Sequence, residues 1–383
     1  MKIAYLDNSA TTPVLPEVLE AMKPYYAEKY GNPSSTHFLG MEAQKALDDC
    51  KEIIAGTIGA EREEVVFTSG GTEANNIAIL GAAGGLKSKG THIITTAIEH
   101  KSVLEPFRML EKRGFKVTYL PVNREGFISM GNLEKAITKE TVFASIQPAN
   151  HEIGTIQEME KIAKACSSKG VVLHVDACQG YTKMPIDVSK AGIDLLTLNG
   201  HKIHGPKGIG ALYVRAGAKL ENVYTGGEQG NSLRPGTENV PGAVGFAKAA
   251  ELAFKDSGRG IIQMKNLRDR LMKGLLKIRD SRFNGPVGNR RLCSNVNITF
   301  RGVEAEAVLM MLSSKGICAS SGSACTARSV EPSNVLTSIG LSKNDAFSTL
   351  RFSLSRLNTK EEIDYATEQT ARIVEELRKL NAR

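Results

Sequence analysis

A lysine, an aspartate and a glycine-rich turn, each at the end of an apolar run, are the residues of this chain best suited to do chemistry together. Lys202 lies in LNGHKIHGPKG at 198–208, after an apolar run and before a Gly/Pro turn. A lysine at a strand end, partly withdrawn from water, loses basicity and suits Schiff-base chemistry. Asp176 closes the run VVLHVD at 171–176, where open α/β sheets place ligands. A carboxylate buried there needs a positive partner. A protonated pyridinium nitrogen is one such partner; capping the next helix is the other reading. The third segment, TSGGTEANN at 68–76, follows a β-rich run and opens a helix, so its backbone N–H groups and the Thr72 hydroxyl can face an anion. Its spacing is neither the Walker pattern nor G-x-G-x-x-G, and supports neither a P-loop nor a dinucleotide fold. Each segment alone has a structural explanation. Together, with Asp176 and Lys202 26 residues apart, they match the needs of pyridoxal phosphate: a carboxylate for the ring nitrogen, an amine for the aldehyde and a helix start for the phosphate.

Cysteine supplies a fourth candidate. Cys50, Cys166, Cys178, Cys293, Cys318 and Cys325 form no C-x-x-C pair and no Cys/His zinc spacing. They read as free thiols in a reducing compartment, and no metal is expected. Cys325 differs from the rest. It sits at the centre of SSGSACTARSVEPS at 320–333, a small, polar segment in which Arg328 favours thiolate. Cys318, in KGICAS, fits a small buried hydrophobe better. A reactive thiol on such a loop could carry a covalent cargo from a buried site to an outside acceptor.

These residues need a scaffold. At about 150 residues per domain, 383 residues make two or three units. The composition, 41% hydrophobic and 23% charged, excludes a disordered or fibrous chain. No apolar run is long enough to span a bilayer, and MKIAYLDNSATTP lacks the apolar core of a signal peptide, so a cytoplasmic location is expected. β-rich runs at 64–68, 91–96, 116–120, 142–147, 171–175, 194–198 and 210–214 alternate with helical stretches such as 158–169. That alternation predicts an α/β fold with a mostly parallel seven-stranded sheet between helices. The segment 224–242 is too polar for a core, and a loop of that length in a compact domain is usually functional. Beyond about 250 the pattern predicts a smaller α+β region ending in a helix that starts at Thr359, with Glu362 completing a capping box.

The net charge of +8 is compatible with nucleic acid, an acidic partner or an anionic cofactor. The densest basic run, 265–282, spaces its apolar residues helically and reads as a solvated helix face. RNA recognition would need basic residues interleaved with aromatics, yet aromatics are 5% and Trp is absent.

The order of these segments resembles the cysteine desulfurases of the NifS/IscS type, in the class V branch of fold type I pyridoxal-phosphate enzymes. The resemblance runs from YLDNSATTP at Tyr5 through GNPSSTH, FTSGGTEANN, EHKSV, HVDACQ, GHKIHGPKG, RPGTEN and SSGSACT to RFSLSR at 351–356. It implies Lys202 as the Schiff-base lysine, Asp176 as the pyridinium partner, His100 on the ring face and Gln179 at the ring 3′-oxygen. Gly71, Thr72 and His201 would hold the phosphate, joined by Thr237 of a neighbouring subunit, so a homodimer is implied. Asn150, His151 and Asn199 would line the cofactor. Asn32, His37 and Arg351 would meet the substrate, L-cysteine, with Arg351 on its carboxylate. Cys325 would receive the sulfur as a persulfide and pass it to an acceptor protein, such as an iron–sulfur scaffold or a tRNA-thiolating enzyme, while the substrate leaves as L-alanine. The resemblance also implies a large cofactor domain at 14–250 and a small one at 1–13 and 251–383.

Three positions depart from the family pattern. His151 replaces the second of two asparagines, Asn199 replaces a serine or threonine, and Ser355 replaces a glycine. An imidazole beside the cofactor can titrate near neutral pH. The chain ends at Arg383 soon after the last helix, so the tail some relatives use to dock a scaffold is expected to be short. Selenocysteine lysis and a transamination-type reaction are the competing class V activities; transamination needs no thiol such as Cys325. An inactive scaffold for iron–sulfur assembly would be expected to lose Lys202 or Cys325, and both are present.

Overall fold

Seven runs rich in Val, Ile, Leu and Thr pair into one sheet in the computed structural model, which describes residues 3–255, 257–321 and 331–381. The strands are β1 (Val65–Thr68), β2 (His92–Thr96), β3 (Lys116–Leu120), β4 (Thr141–Ser145), β5 (Val172–Asp176), β6 (Leu195–Asn199) and β7 (Gly210–Val214), in the order β1-β7-β6-β5-β4-β2-β3. Successive side chains in a strand face opposite sides. Ile94, Ala144 and Leu196 therefore enter one apolar core and Ile93, Phe143 and Leu195 another. Both faces are covered, as the near-continuous apolar runs require.

The sheet is parallel except at β7, which runs antiparallel to both β6 and β1. A parallel return needs a crossover of a dozen or more residues. The link 200–209, which carries Lys202, is too short for one. The strand reversal thus follows from the lysine turn itself.

Polar side chains inside these buried strands pair with one another. His174 is fully buried; its Nδ1 meets Ser145 Oγ on β4 at 2.8 Å and its Nε2 meets Thr197 Oγ1 on β6 at 3.0 Å. Burial drives its pKa down to about 4, against the opposing pull of Asp176, so this link is neutral.

The remaining chain builds a second sheet of four antiparallel strands, with Thr349–Ser353 between Asn295–Phe300 and Ser320–Ser321 and with Ser281–Phe283 at one edge. A separate apolar cluster, including Leu271, Val296, Phe300 and Phe352, lies with this sheet. Ala4–Tyr5 pairs in parallel with Ile317–Cys318, and Asn8 donates from Nδ2 to Ser353 O at 2.8 Å. The terminal helix spans Lys360–Asn381; Thr359 N donates to Glu362 Oε2 at 3.1 Å and Glu362 N to Thr359 Oγ1 at 3.3 Å, closing the expected box.

The basic run 265–282 is helical only in part. The helix Ser257–Leu275 ends, and the chain turns through Asp280 at φ 49° into Ser281–Phe283. Arg268, read as part of a solvated face, is instead 1% exposed. Its Nη1 donates to the Arg291 and Leu292 carbonyls at 2.9 and 3.0 Å, and its Nε donates to Asp269 Oδ1 at 2.8 Å, which supplies the counter-charge.

Candidate active site

The ends of β1, β2, β4, β5 and β6 face a cavity of about 920 Å³. Gly71, Thr72, His100, His151, Asp176, Gln179, Asn199, His201, Lys202 and Arg351 all line it, although they come from six separate stretches of sequence. The strands of the large sheet deliver these residues at their last paired position, as with Asp176 and Asn199, or in the turn just after it, so the sheet's parallel pairing brings them to one side.

The glycine turn is built for close approach. Gly70 has φ 154°, outside the range an L side chain adopts comfortably. A Cβ on Gly71 would lie 2.6 Å from Cys178 Sγ, so the start of the helix Gly71–Leu86 is pressed against the turn that follows Asp176. The helix N-terminus, Thr72, His201 and Lys207 also border a neighbouring open cavity of about 430 Å³, a place where N–H groups and the helix dipole favour an anion.

Asp176 is 8% exposed. Its Oδ2 accepts from Asn75 Nδ2 at 2.8 Å and its Oδ1 from Cys178 N at 3.0 Å. Burial alone would raise its pKa. The Asn75 hydrogen bond, the nearby His100 and the Cys178 donors outweigh that and hold it below the usual carboxylate value. The other N–H of the Asn75 amide donates to Ser102 Oγ at 2.8 Å, and that hydroxyl donates to His100 Nδ1 at 2.8 Å. His100 Nδ1 also accepts from Ser102 N at 3.2 Å as it caps the helix Lys101–Lys112. Two bonds received at Nδ1 leave the ring proton on Nε2. Burial, then His151 and Lys202, push His100 down to about 4, so it stays a neutral ring. His151 meets it edge-on, with centroids 5.4 Å apart and planes at 81°.

His201 is likewise driven down to about 4, by burial and then by Lys202, Lys207 and Lys183. The ATTP segment supports this turn: Thr12 Oγ1 donates to His201 O at 2.8 Å, and His204 N donates to Thr12 Oγ1 at 2.8 Å. Gln179 Nε2 donates to Ser9 O at 3.1 Å.

Arg351, 3% exposed, enters from the small sheet. One terminal nitrogen pairs with Asp7 Oδ1 at 3.1 Å and the other donates to His151 O at 3.2 Å. Among the described residues its Nε is buried without a partner, as are Asn75 Oδ1, His151 Nδ1 and Asn199 Oδ1. Buried polar atoms are almost always satisfied. Four orphans around one cavity mark a space shaped for a polar ligand.

Other predicted residues lie elsewhere. Asn150 is buried outside the cavity lining, its Nδ2 donating to Ile98 O at 3.0 Å and its Oδ1 accepting from Glu152 N and Ile153 N at 2.9 Å each. Asn32, His37 and Thr237 are exposed and do not line the cavity; Asn32 Oδ1 accepts from Ser34 N at 2.9 Å and His37 caps the helix Phe38–Gly56. Cys325, with Arg328, lies outside the described residues. The other five cysteines are free thiols. Burial pushes Cys50 and Cys166 up to about 12 and raises Cys178 and Cys293 as well, which makes all four poor nucleophiles. Among the described residues no group of three or more His, Cys, Asp or Glu is placed to hold a metal, and no helix is long and apolar enough to cross a membrane.

Sequence reasoning passed over Asn75, Glu99 and Asp7. Asn75 stands four residues after Gly71, hence on the same helix face, and that spacing could have identified it. Glu99 lines the cavity at 2% exposure, accepts from Thr96 Oγ1 at 2.7 Å and Gln147 N at 3.0 Å, and is pushed by burial up to about 8.

Comparison with known proteins agrees with this geometry. Residues 4–366 match the family described as Aminotransferase class-V. The chain is 46% identical over 378 residues to the cysteine desulfurase IscS of Dictyoglomus turgidum, covering 98% of this chain and 96% of that one. A solved NifS-like protein superposes with a TM-score of 0.92 at 35% identity, covering 98% of this chain and all of that one. The structure of SspA in complex with cysteine gives 0.81 at 38% identity, covering 93% and 99%. The chain therefore belongs to the class-V aminotransferase family and, within it, to the cysteine desulfurases.

Proposed function

We propose that this chain binds pyridoxal phosphate in the 920 Å³ cavity and converts L-cysteine to L-alanine, leaving the sulfur as a persulfide on Cys325. The observation that carries the reading is Asp176: a buried carboxylate held ionised by the Asn75 donor, by nearby His100 and by the Cys178 donors, with His100 itself neutral near pH 7, and sharing a cavity with Lys202. Such a group calls for a cationic ligand atom, and a pyridinium N–H fits it. When bound, pyridoxal phosphate supplies an electron sink for negative charge at the substrate Cα.

The protein's own residues do the rest. Asp176 keeps the ring nitrogen protonated, and neutral His100 offers its ring face. Gly71, Thr72 and His201 hold the phosphate at the helix start, with Gln179, Asn199 and His151 around the ring. Arg351, already oriented by Asp7, receives the substrate carboxylate. The amine of Lys202 accepts the proton from Cα. The Cys325 thiolate attacks the substrate sulfur; an S–S bond forms as the Cβ–S bond breaks, and the carbon fragment, protonated at Cβ and Cα, leaves as alanine.

The exposed positions of Asn32, His37 and Thr237 suit a homodimer in which these residues serve a neighbouring copy. The two sheets with separate apolar clusters favour a large unit at 14–250 and a small one formed by 1–13 and 251–383. The sulfur would then pass to an acceptor protein in the cytoplasm.

The test is to add L-cysteine to purified enzyme and quantify alanine and Cys325-bound persulfide together. Equimolar formation in the first turnover is expected. Cys325→Ser should keep the bound chromophore and lose sulfur release, and Lys202→Ala should lose the lysine-linked absorbance. Alanine formed without persulfide on Cys325 would refute the transfer step.

A further inference from the structure

A second cavity, of about 210 Å³, shares Lys202 with the first. Lys183, Lys202, Arg259 and Arg356 line it, and no Asp or Glu is among its described lining residues. Lys183 is only 8% exposed and is one of the residues that line this cavity. Burial draws its pKa down to about 8, opposed by Cys293 and helped by Lys202 and Arg351, so at pH 7 most of it is still ammonium. A largely buried ammonium with the like charges of Lys202 and Arg351 near it is costly, and an anion in the cavity would offset that cost.

The backbone pays strain to build this wall. Five described non-glycine residues have left-handed φ; two of them, Thr182 at 64° and His204 at 70°, line this cavity. For β-branched Thr182, next in sequence to Lys183, that conformation is a true outlier. Ser355 also lines the cavity, at 7% exposure. Its Oγ accepts from Leu357 N at 3.3 Å, which leaves the hydroxyl hydrogen able to donate.

We infer that this second cavity is a binding site for a small oxyanion, a carboxylate or a phosphate, held by Lys183 and the Ser355 hydroxyl with Arg259 at its exposed side. It is separate from the carboxylate site proposed for Arg351, because Arg351 does not line it. Since Lys202 borders both cavities, a bound anion competes with the first cavity for the Lys202 side chain. Only that last consequence rests on the desulfurase reading.

The test uses fully loaded enzyme at constant ionic strength and two probes, ¹³C-labelled acetate and inorganic phosphate, each followed by line broadening of its own NMR signal. Saturable broadening of at least one probe is expected, and which one saturates identifies the ligand class. Lys183→Met should raise the half-saturating concentration at least tenfold, and Arg259→Gln, at an exposed position that folding does not need, severalfold. The binding probe should slow alanine formation with the same half-saturation. No saturable binding of either probe, or an unchanged half-saturation in Lys183→Met, overturns the site. If Lys183→Met does not fold, an unchanged half-saturation in Arg259→Gln overturns it. Lys183-dependent binding with no effect on rate removes the competition for Lys202 and, because binding is read directly, leaves the site standing even if the desulfurase reading fails.

Discussion

Replacing Gly71 by alanine tests how tightly the anion-facing helix start is pressed against the Asp176 turn. The added Cβ would lie 2.6 Å from Cys178 Sγ, against 3.4 Å for the closest ordinary contact. The sulfur has little room to retreat: Cys178 is 8% exposed, and its own backbone N–H is committed to Asp176 Oδ1. Overpacking of this kind costs about 1–3 kcal/mol. Cys178→Ala alone leaves a gap of one atom and should cost about 1 kcal/mol. In the double variant the new methyl group occupies space the sulfur vacated, so the loss should be smaller than the sum by about 1–2 kcal/mol, a coupling typical of residues in contact. Urea unfolding of the four proteins measures the cycle, and retention of the cofactor through gel filtration gives a parallel reading. Losses that add to within about 0.5 kcal/mol would refute the argument, because additivity is the mark of independent sites.

Two further outcomes follow from the same site. Glu99 binds its proton more tightly folded than unfolded, so stability falls as pH rises from about 4.5 to about 8. Glu99→Gln, nearly the same shape as the protonated acid, should remove up to about 1.4 kcal/mol per pH unit from that slope, measured by urea unfolding at pH 5, 6.5 and 8; an unchanged slope would mean the buried carboxyl is already ionised. Arg351→Lys keeps the charge but loses the planar fork held by Asp7 and the unpartnered Nε, so the KM for L-cysteine should rise roughly tenfold or more, about 1.5–3 kcal/mol, with a smaller change in kcat. A larger fall in kcat than rise in KM would place Arg351 in the chemical step instead.

Much of the scaffold was legible because its signals are local. The runs at 116–120 and 210–214 coincide with strands, and the other five strands lie within one or two residues of the positions expected. Their apolar continuity and the helical stretches between them are enough to specify a covered sheet. The reversal of Gly210–Val214 was readable in principle from the short link before it, but composition does not encode direction. Side chains that act through distant partners were not legible. An asparagine in a helix looks neutral, yet Asn75 joins Asp176 to Ser102 across 101 and 27 residues of sequence. Arg268 looked solvated because its carbonyl partners lie 23 and 24 residues away. Asn150 shows the reverse case: its amide closes a local turn, a use that its position in a motif does not reveal.

The pairing of Asp7 with Arg351 also bears on how the molecule comes to exist. The two are 344 residues apart, and Ala4–Tyr5 pairs with a strand at Ile317–Cys318. At a synthesis rate of about 5–20 residues per second, the N-terminal segment waits roughly 17–70 s for its partners to be made. During that interval the seven-stranded sheet can assemble, but the small sheet lacks its last central strand and Arg351 does not yet exist. The Asp7–Arg351 pair is therefore closed only after the 343 residues between them have been made, and the segment around Asp7 is fixed in place long after its own synthesis.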